Sequence, residues 1–464
     1  MKLLLELPAS PTPSTALINE AIERLATRGG GTVQIPPGRF LTGTIFLRSN
    51  ISLELAAGAV LTASADISEY PPLPLNAGFP EHLRKGENPQ RRHLLVAEEA
   101  ENVTLCGQGI IDGNMAAFAP GWELRNEFAW TDPSRRFFVP TLEFLRCRNV
   151  RIRGVVIRDS PGWTCHLCLC DEVRVEGVTL LNHLYAGNSD GFDVDGCHDV
   201  WFSRCRIETG DDCIVMKSNP LTRSCERIII SDCMLRSTCA AVKIGTESWW
   251  DFRSIQFTNS IVHGSNRAFQ ISCLDGATVE DVLVDGLQID TDSTNIFNRP
   301  IHLDLGLRRS GFLKGRENER RLGKIRRVSI SNLSIRTDGR LLLTAGDGGR
   351  LEDVSLCNLR LAYPSIEDPA ASKGADLLQG SSNCPEAVET SAAIVAQNID
   401  RLDLSNVSVS WPDPASAESF RPKYRDGEVA KGVTIHSRRP PHFEIFRGID
   451  LQDDRVELAA FERP

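Results

Sequence analysis

The chain has 464 residues, a formal charge of −9, 41% hydrophobic residues, 24% charged residues and 36 glycines. That balance belongs to a folded globular protein and excludes a disordered, collagenous or membrane-embedded chain, while the lack of a long Lys/Arg run argues against nucleic acid as a partner. The first apolar run, Leu3-Leu4-Leu5, stops at Glu6, too short for a signal-peptide core or a spanning helix, so the sequence reads as cytoplasmic with no membrane partner.

Taken in chain order, a helical period appears first in STALINEAIERLATRGGG, residues 14–31. Ser14 or Thr15 can cap it, Ala16-Leu17-Ile18, Ala21-Ile22 and Leu25 form an apolar face, and Gly29-Gly30-Gly31 end it. One amphipathic helix, spanning about 14–28, is therefore expected to cover the open end of whatever sheet follows. Residues 70–93 and 114–138 read as long loops, the second containing the irregular FAPGWELRNEFAWTDPSRR, and residues 362–398 as a third.

A repeat then runs through the chain. CRNVRIRGVVI from Cys147 aligns with CDEVRVEGVTL from Cys170, CHDVWFSRCRI from Cys197 and CERIIISDCML from Cys225. The series continues with FRSIQFTNSIV from Phe252, VEDVLVDGLQI from Val279, IRRVSISNLSI from Ile325, LEDVSLCNLRL from Leu351 and IDRLDLSNVSV from Ile399. An earlier copy, AENVTLCGQGI, begins at Ala100, separated from Cys147 by a loop insertion. Each copy holds an apolar pair at period two, a polar break such as Ser-Asn or Glu-Gly, and a second apolar pair: two short strands joined by a corner.

From Cys147 to Val279 the starts lie 23, 27, 28, 27 and 27 residues apart, and the later gaps of 46 and 48 are expected to hold two coils each. One coil has too little surface to form a core, so coils must stack. The expected fold is all-β: a single right-handed parallel β-helix domain, residues 1–464, with the N-terminal helix as its cap. The 14 cysteines are expected to be reduced and mostly buried, and Cys165, Cys168 and Cys170 in TCHLCLC to be strand positions rather than zinc ligands.

The segment Asn188–Ser218 concentrates acids: Asp190, Asp193, Asp195, Asp199, Asp211 and Asp212. Asp190 precedes Asp211 by 21 residues, somewhat less than a coil, which brings it beside the Asp211-Asp212 pair on the neighbouring turn. Three gathered carboxylates either bind a hard cation such as calcium or divide into a protonated acid and an ionised base, as glycosidic bond cleavage requires. Asp193, Asp195 and Asp199 read as turn residues solvating the coil surface. Gly210 is expected at a corner in a backbone conformation closed to other residues, with Asp211 and Asp212 projecting from one surface and Cys213 starting an inward-facing series.

The succession NSDG at 188–191 and GDDCIVMK at 210–217 resembles the polygalacturonase family, glycoside hydrolase family 28. GQGIIDGN at 107–114, SPGWTCH at 160–166 and the GGGTVQIPPGRF region from Gly29 add to the likeness. The resemblance implies a right-handed parallel β-helix that hydrolyses α-linked galacturonan or rhamnogalacturonan with inversion, without a metal or other cofactor. By position it implies Asp211 as general acid, Asp190 and Asp212 as the pair activating water, Asn188 as a support for Asp190, and Lys217 near the site. His166 falls where the family often has a histidine, and a structural role is equally open for it.

Two departures bear on the sugar. The family's Gly-His-Gly falls on STCAAVKIGTES, without a histidine, and its Arg-Ile-Lys on RAFQIS, so Gln270 and Ser272 stand where cations are expected. A neutral amide and a hydroxyl cannot make the charge-assisted bonds that an anionic sugar favours, though Lys243 and Arg267 lie nearby to substitute. Trp249 and Trp250, just after Glu247, offer either a stacking face for a sugar or ordinary packing. The expected activity is hydrolysis of a pectin-type oligosaccharide. The alternatives are the same chemistry on a neutral or differently charged α-glycoside, a β-helix lyase, and a silent carbohydrate-binding solenoid; the sequence specifies no oligomeric state.

Overall fold

The computed structural model describes residues 1–7, 12–75, 91–119, 129–130, 141–291, 299–308, 319, 321–363 and 394–410. Most of the three loop regions expected at 70–93, 114–138 and 362–398 lies outside these residues. The chain divides into two compact units, Met1–Met234 and Leu235–Pro464.

The first unit opens with strand Lys2–Leu4, which pairs in parallel with Gly31–Ile35. Helix Thr15–Ala26 lies between them in sequence and buries Ile18, Ala21, Ile22 and Leu25 against the first strands, as the pattern requires. Ala16 and Leu17 are the exceptions, both exposed, because they fall off the buried stripe. Ser14 holds the N-cap position without a side-chain cap bond; the Ile18 N–H is taken by its carbonyl instead. After the helix, Gly29 and Gly30 take positive φ, and Gly30 N–H bonds the Leu25 carbonyl.

Beyond the helix the repeat becomes a parallel β-helix. Val103, Val150, Val173, Val200 and Ile228 occupy one register position on successive coils, and Leu105, Ile152, Val175, Phe202 and Ile230 the next inward one. All ten are buried, and burying such a side chain contributes about 1.5–3 kcal/mol. The polar break after them is a left-handed corner: Gly154, Gly177, Arg204 and Asp232 all have positive φ. Glycine tolerates that region without strain, which is why it recurs there.

A second parallel sheet closes each coil, formed in order by Ile45–Leu47, Leu95–Glu98, Leu142–Leu145, Cys165–Cys168, Phe192–Asp195 and Ile214–Ser218. One face points into the core, with Phe144, Leu167, Val194 and Met216 in register. The opposite face carries Glu143, His166 and Asp193 in register, and these too are buried.

In the second unit the same coil recurs. Ile255, Val282, Val328, Val354 and Leu402 stack in one inward row, with left-handed corners at Asn259, Gly286, Asn332, Asn358 and Asn406. Val282 pairs directly with Val328, and Val354 with Leu402, so the gaps of 46 and 48 residues are single coils and not two each. The extra length adds no further turn to the stack, just as between Val103 and Val150. The closing sheet here runs Ala240–Ser248, Arg267–Cys273, Ile301–Leu305, Leu341–Ala345 and Ile394–Gln397.

The protein is thus a right-handed parallel β-helix with an N-terminal capping helix. Every described cysteine is unbridged, and all but Cys357 are buried. Burial pushes the thiols of Cys165, Cys168 and Cys170 well above their ordinary range, so they behave as small core residues.

Candidate active site

The corner after strand Arg206–Thr209 holds Gly210, Asp211 and Asp212. A Cβ on Gly210 would lie 2.3 Å from the Ala186 carbonyl oxygen and 2.5 Å from that of His183. Its φ is outside the left-handed region, so glycine is needed here for space, not for the unusual conformation expected of it. The close approach lets segment 186–190 lie directly on the corner. Gly210 N–H donates to Ser189 Oγ at 3.1 Å, and Ser189 Oγ donates to the Ala186 carbonyl at 2.6 Å. Asn182 Nδ2 holds the same segment through the Ser189 carbonyl at 3.0 Å.

Register brings the acids together. Phe192 pairs with Ile214, and one residue back Gly191 N–H donates to the Asp212 carbonyl at 2.9 Å, which places Asp190 beside the pair. Asp190, Asp211 and Asp212 are 3%, 6% and 1% exposed, so they are walled in rather than projecting freely. The Asp211 carboxylate accepts the Asn188 N–H at 2.7 Å and the Asp212 N–H at 3.0 Å. Asn188 itself is left-handed, with φ 59°. The hydrogen bond it contributes is thus a backbone one, and it goes to Asp211, where the sequence reading had Asn188 supporting Asp190.

Burial, together with the neighbouring Asp211, Asp193 and Asp212, holds the Asp190 carboxyl well above the usual carboxylate range, against the pull of Lys217. Lys217 Nζ lies 3.9 Å from Asp190 Oδ2, 3.0 Å from Asp193 Oδ1 and 3.8 Å from the centre of the Trp163 ring. Burial raises Asp193 to about 6, with Lys217 and His166 opposing it. Asp193 and Asp195 are therefore buried strand residues on the outer face of the closing sheet, not turn residues solvating a surface. Asp199 too lies in a strand, His198–Ser203, and not in a turn, but it is partly exposed there, with φ 58° and a pair to Arg227.

His166 stands one coil from Asp193, its Nδ1 3.5 Å from Glu143 Oε1 and its Nε2 3.7 Å from Asp195 Oδ2. Burial disfavours a charge there, yet Asp195 and Glu143 outweigh it and push the imidazole up to about 9. Despite its own burial, Glu143 is held well below the carboxylate range by His93, His166 and Arg91. Arg91 Nε reaches Glu143 Oε2 at 2.7 Å. His166, Cys168 and Asp195 have ligand atoms within 4.8 Å of one another and are a group in this unit able to hold a cation. Asp195 is already engaged by Thr222 Oγ1 at 2.7 Å and by Asn219, and an imidazolium between two carboxylates balances the cluster without a metal.

In the second unit, Lys243, Gln270 and His302 are cross-strand neighbours on the outer face of the closing sheet. Arg267 is fully buried and donates from Nη1 to Gln270 Oε1, while Gln270 Nε2 donates to Ser272 Oγ at 2.7 Å. Arg299 and Arg340 join them. Burial lowers each to about 9, helped at Arg299 by Arg267 and at Arg340 by Arg299. Burial and the cations Arg299, Arg267 and Lys243 keep His302 well below its usual range. Glu247 and Trp249 are half-buried at the far end of strand Ala240–Ser248, and Trp250 is 44% exposed.

The sequence reading passed over Arg91, Glu143 and Trp163 in the first unit and Arg299, His302 and Arg340 in the second. Coil spacing carried the signal: stepping 23 residues back from His166 reaches Glu143, and 27 forward reaches Asp193.

Comparison with known proteins agrees with this architecture. A probable polygalacturonase of Vitis vinifera is 25% identical over 299 residues, covering 60% of this chain and 58% of that protein. An exo-poly-alpha-D-galacturonosidase of Dickeya chrysanthemi is 24% identical over 243 residues, 44% of this chain and 39% of that one. The chain thus matches less than two thirds of the length of these relatives. Among solved structures, a hyperthermoactive exopolygalacturonase from Thermotoga maritima superposes with a TM-score of 0.61 at 23% identity, over 78% of this chain and 87% of that one. A family 28 exopolygalacturonase from Yersinia enterocolitica gives 0.63 at 14% identity, over 87% and 74%. The sequence profile of glycosyl hydrolases family 28 matches residues 32–285, more than half of the chain, and the protein belongs to that family.

Proposed function

We propose that the protein hydrolyses α-linked, galacturonate-containing oligosaccharides of the pectin type with inversion, Asp211 protonating the glycosidic oxygen while Asp190 and Asp212 activate the attacking water. The observation that carries this reading is the confinement of these three carboxylates to one buried corner. Asp190 and Asp211 repel each other there, so the pair retains a proton at a pH where isolated carboxyls have lost theirs. A leaving oxygen that hydrogen-bonds to Asp211 draws that proton to it, which leaves Asp190 ionised to act as base. No metal is needed for either half.

An acidic sugar is supported by the polygalacturonases and exopolygalacturonases among the similar proteins. A neutral sugar is the second reading. It rests on Gln270 and Ser272 standing where the family resemblance expects Arg and Lys.

The test is incubation with galacturonate oligomers, rhamnogalacturonan fragments and neutral α-galactosides, following reducing ends and the anomer first released. We expect cleavage of the galacturonate oligomers with a β-anomer as first product, and a loss of about 10²–10⁴-fold in kcat for Asp211→Asn. Cleavage restricted to the neutral substrate supports the second reading. A product absorbing through a new double bond indicates a lyase, and no turnover on any substrate sinks the hydrolase assignment.

A further inference from the structure

We propose that Lys217 is a positioning residue that sets the charge of Asp190 from a cradle made by Asp193 and Trp163. This rests on the assignment of Asp190 as a reacting carboxylate.

Lys217 lies in strand Ile214–Ser218, directly opposite Asp195 on the previous coil and on the outer face of the closing sheet. Its side chain is 10% exposed, and a buried ammonium is costly to keep charged unless it is held by partners. Two such partners are on its sides. The Trp163 ring lies 3.8 Å away and offers its negative face, and the Asp193 carboxylate lies at hydrogen-bonding distance, 3.0 Å. Trp163 is held in turn, 5% exposed and edge-on to His166 with ring centres 5.5 Å apart.

The distance to Asp190 is different in kind. At 3.9 Å the ammonium acts on Asp190 through charge but makes no hydrogen bond to it. A direct bond would occupy the lone pairs with which Asp190 binds a water and would quench it as a base. Asp193 draws the ammonium toward itself, so Lys217 is near enough to favour an ionised Asp190 and not near enough to block it. The groups facing Asp190 are Asp211 and Asp212 from the adjoining corner, Asp193 from the strand that follows it and the cation Lys217. Three of these four are acids, so removal of the cation leaves Asp190 among like charges.

This arrangement predicts opposite effects from its two ends. Lys217→Met should move the acid limb of the kcat/KM profile to higher pH by on the order of one unit, so that activity at pH 5 falls roughly tenfold while activity at pH 8 changes little. Asp193→Asn removes both a like charge beside Asp190 and the anion that draws the ammonium away from it. The acid limb should then move to lower pH, with a reduced plateau. Trp163→Leu, which keeps the lysine, should shift the limb in the same direction as Lys217→Met and by less. This variant serves if the methionine variant does not fold, as judged by its thermal melt.

The readout independent of turnover is titration of the aspartate side-chain carbons by NMR in protein labelled at that carbon, with Asp190→Asn identifying the Asp190 signal. Titration of Asp190 moving up in Lys217→Met and down in Asp193→Asn supports the proposal, even if none of the substrates above is cut and the reading of the reaction fails. No shift in either variant, or shifts in the same direction, overturns it.

Discussion

The imidazole of His166 faces the carboxylate of Glu143 with Nδ1 3.5 Å from Oε1, and both side chains are fully buried. Its value of about 9 lies above the value of roughly 6.5 that an unfolded histidine has. The imidazolium therefore contributes stability that is fully present below about pH 6.5 and is lost as pH rises through 9, on the order of 3 kcal/mol at most. Urea unfolding of the wild type and His166→Gln at pH 6 and pH 10 checks this. The variant should be clearly less stable at pH 6, and the gap should narrow at pH 10. A gap that does not change with pH would mean that the ring is neutral in the folded protein.

Gly210 is a second point of control, because the backbone of His183 and Ala186 occupies the space of its missing Cβ. Gly210→Ala must push either the Ala186 carbonyl or the Asp211 corner outward, an overpacking cost of about 1–3 kcal/mol. The displaced corner carries Asp211, so kcat should fall 10²-fold or more in a protein that still melts cooperatively, since a displacement of about 1 Å suffices for such a loss. Near-normal turnover in the alanine variant would show that the corner has room to adjust.

The repeat made most of the fold legible, because each coil writes its inward pair and its left-handed corner into the sequence independently of its neighbours. Asn332, Asn358 and Asn406 stand at the polar break of their copies, and each has positive φ. What the pattern does not resolve is how many residues one coil can hold, so the 46- and 48-residue steps read as two turns each where the register shows one. The acids of the site were visible as a cluster, and their approach followed from the period alone. Asp193 reads as solvated because an aspartate in a strand is polar and outward, whereas the outer face of the closing sheet is buried in the described coils from Glu143 and His166 to Gln270 and His302. Only the cross-coil neighbours His166 and Lys217 reveal that here it is a buried, charged layer. Gly210 likewise reads as a glycine of unusual conformation and is instead one of close approach, since glycine serves both and sequence does not distinguish them.

Replacing Asp190 should separate stability from function. Burial and like charges raise its carboxyl well above the usual range, so ionising it costs the folded state more than the unfolded one. The cost is absent at low pH, where Asp190 is protonated in both states, and grows as pH rises past the unfolded value. Asp190→Asn should therefore match the wild type in melting temperature near pH 4 and exceed it at pH 8, while turnover at pH 8 is lost. A melting temperature lower than wild type at pH 8 would indicate that Lys217 holds Asp190 in a net stabilising ion pair.

The asparagine corners of the second unit make a final prediction about what stabilises the coil stack. Asn358 has φ 56°, its Nδ2 donates to Asn332 Oδ1 at 3.0 Å, and its Oδ1 accepts from Asn406 Nδ2 at 2.8 Å. Two contributions coexist there, the conformational tolerance of asparagine and the side-chain ladder, and they respond differently to substitution. Asn358→Gly keeps the left-handed backbone and removes the ladder, which should cost about 1 kcal/mol for exposed, neutral hydrogen bonds. Asn358→Ala removes both and adds the left-handed penalty of about 1–2 kcal/mol. Chemical unfolding should thus rank the wild type above the glycine variant and the glycine variant above alanine. Equal losses in the two variants would assign the whole effect to the ladder, and no loss with glycine would assign it to the backbone.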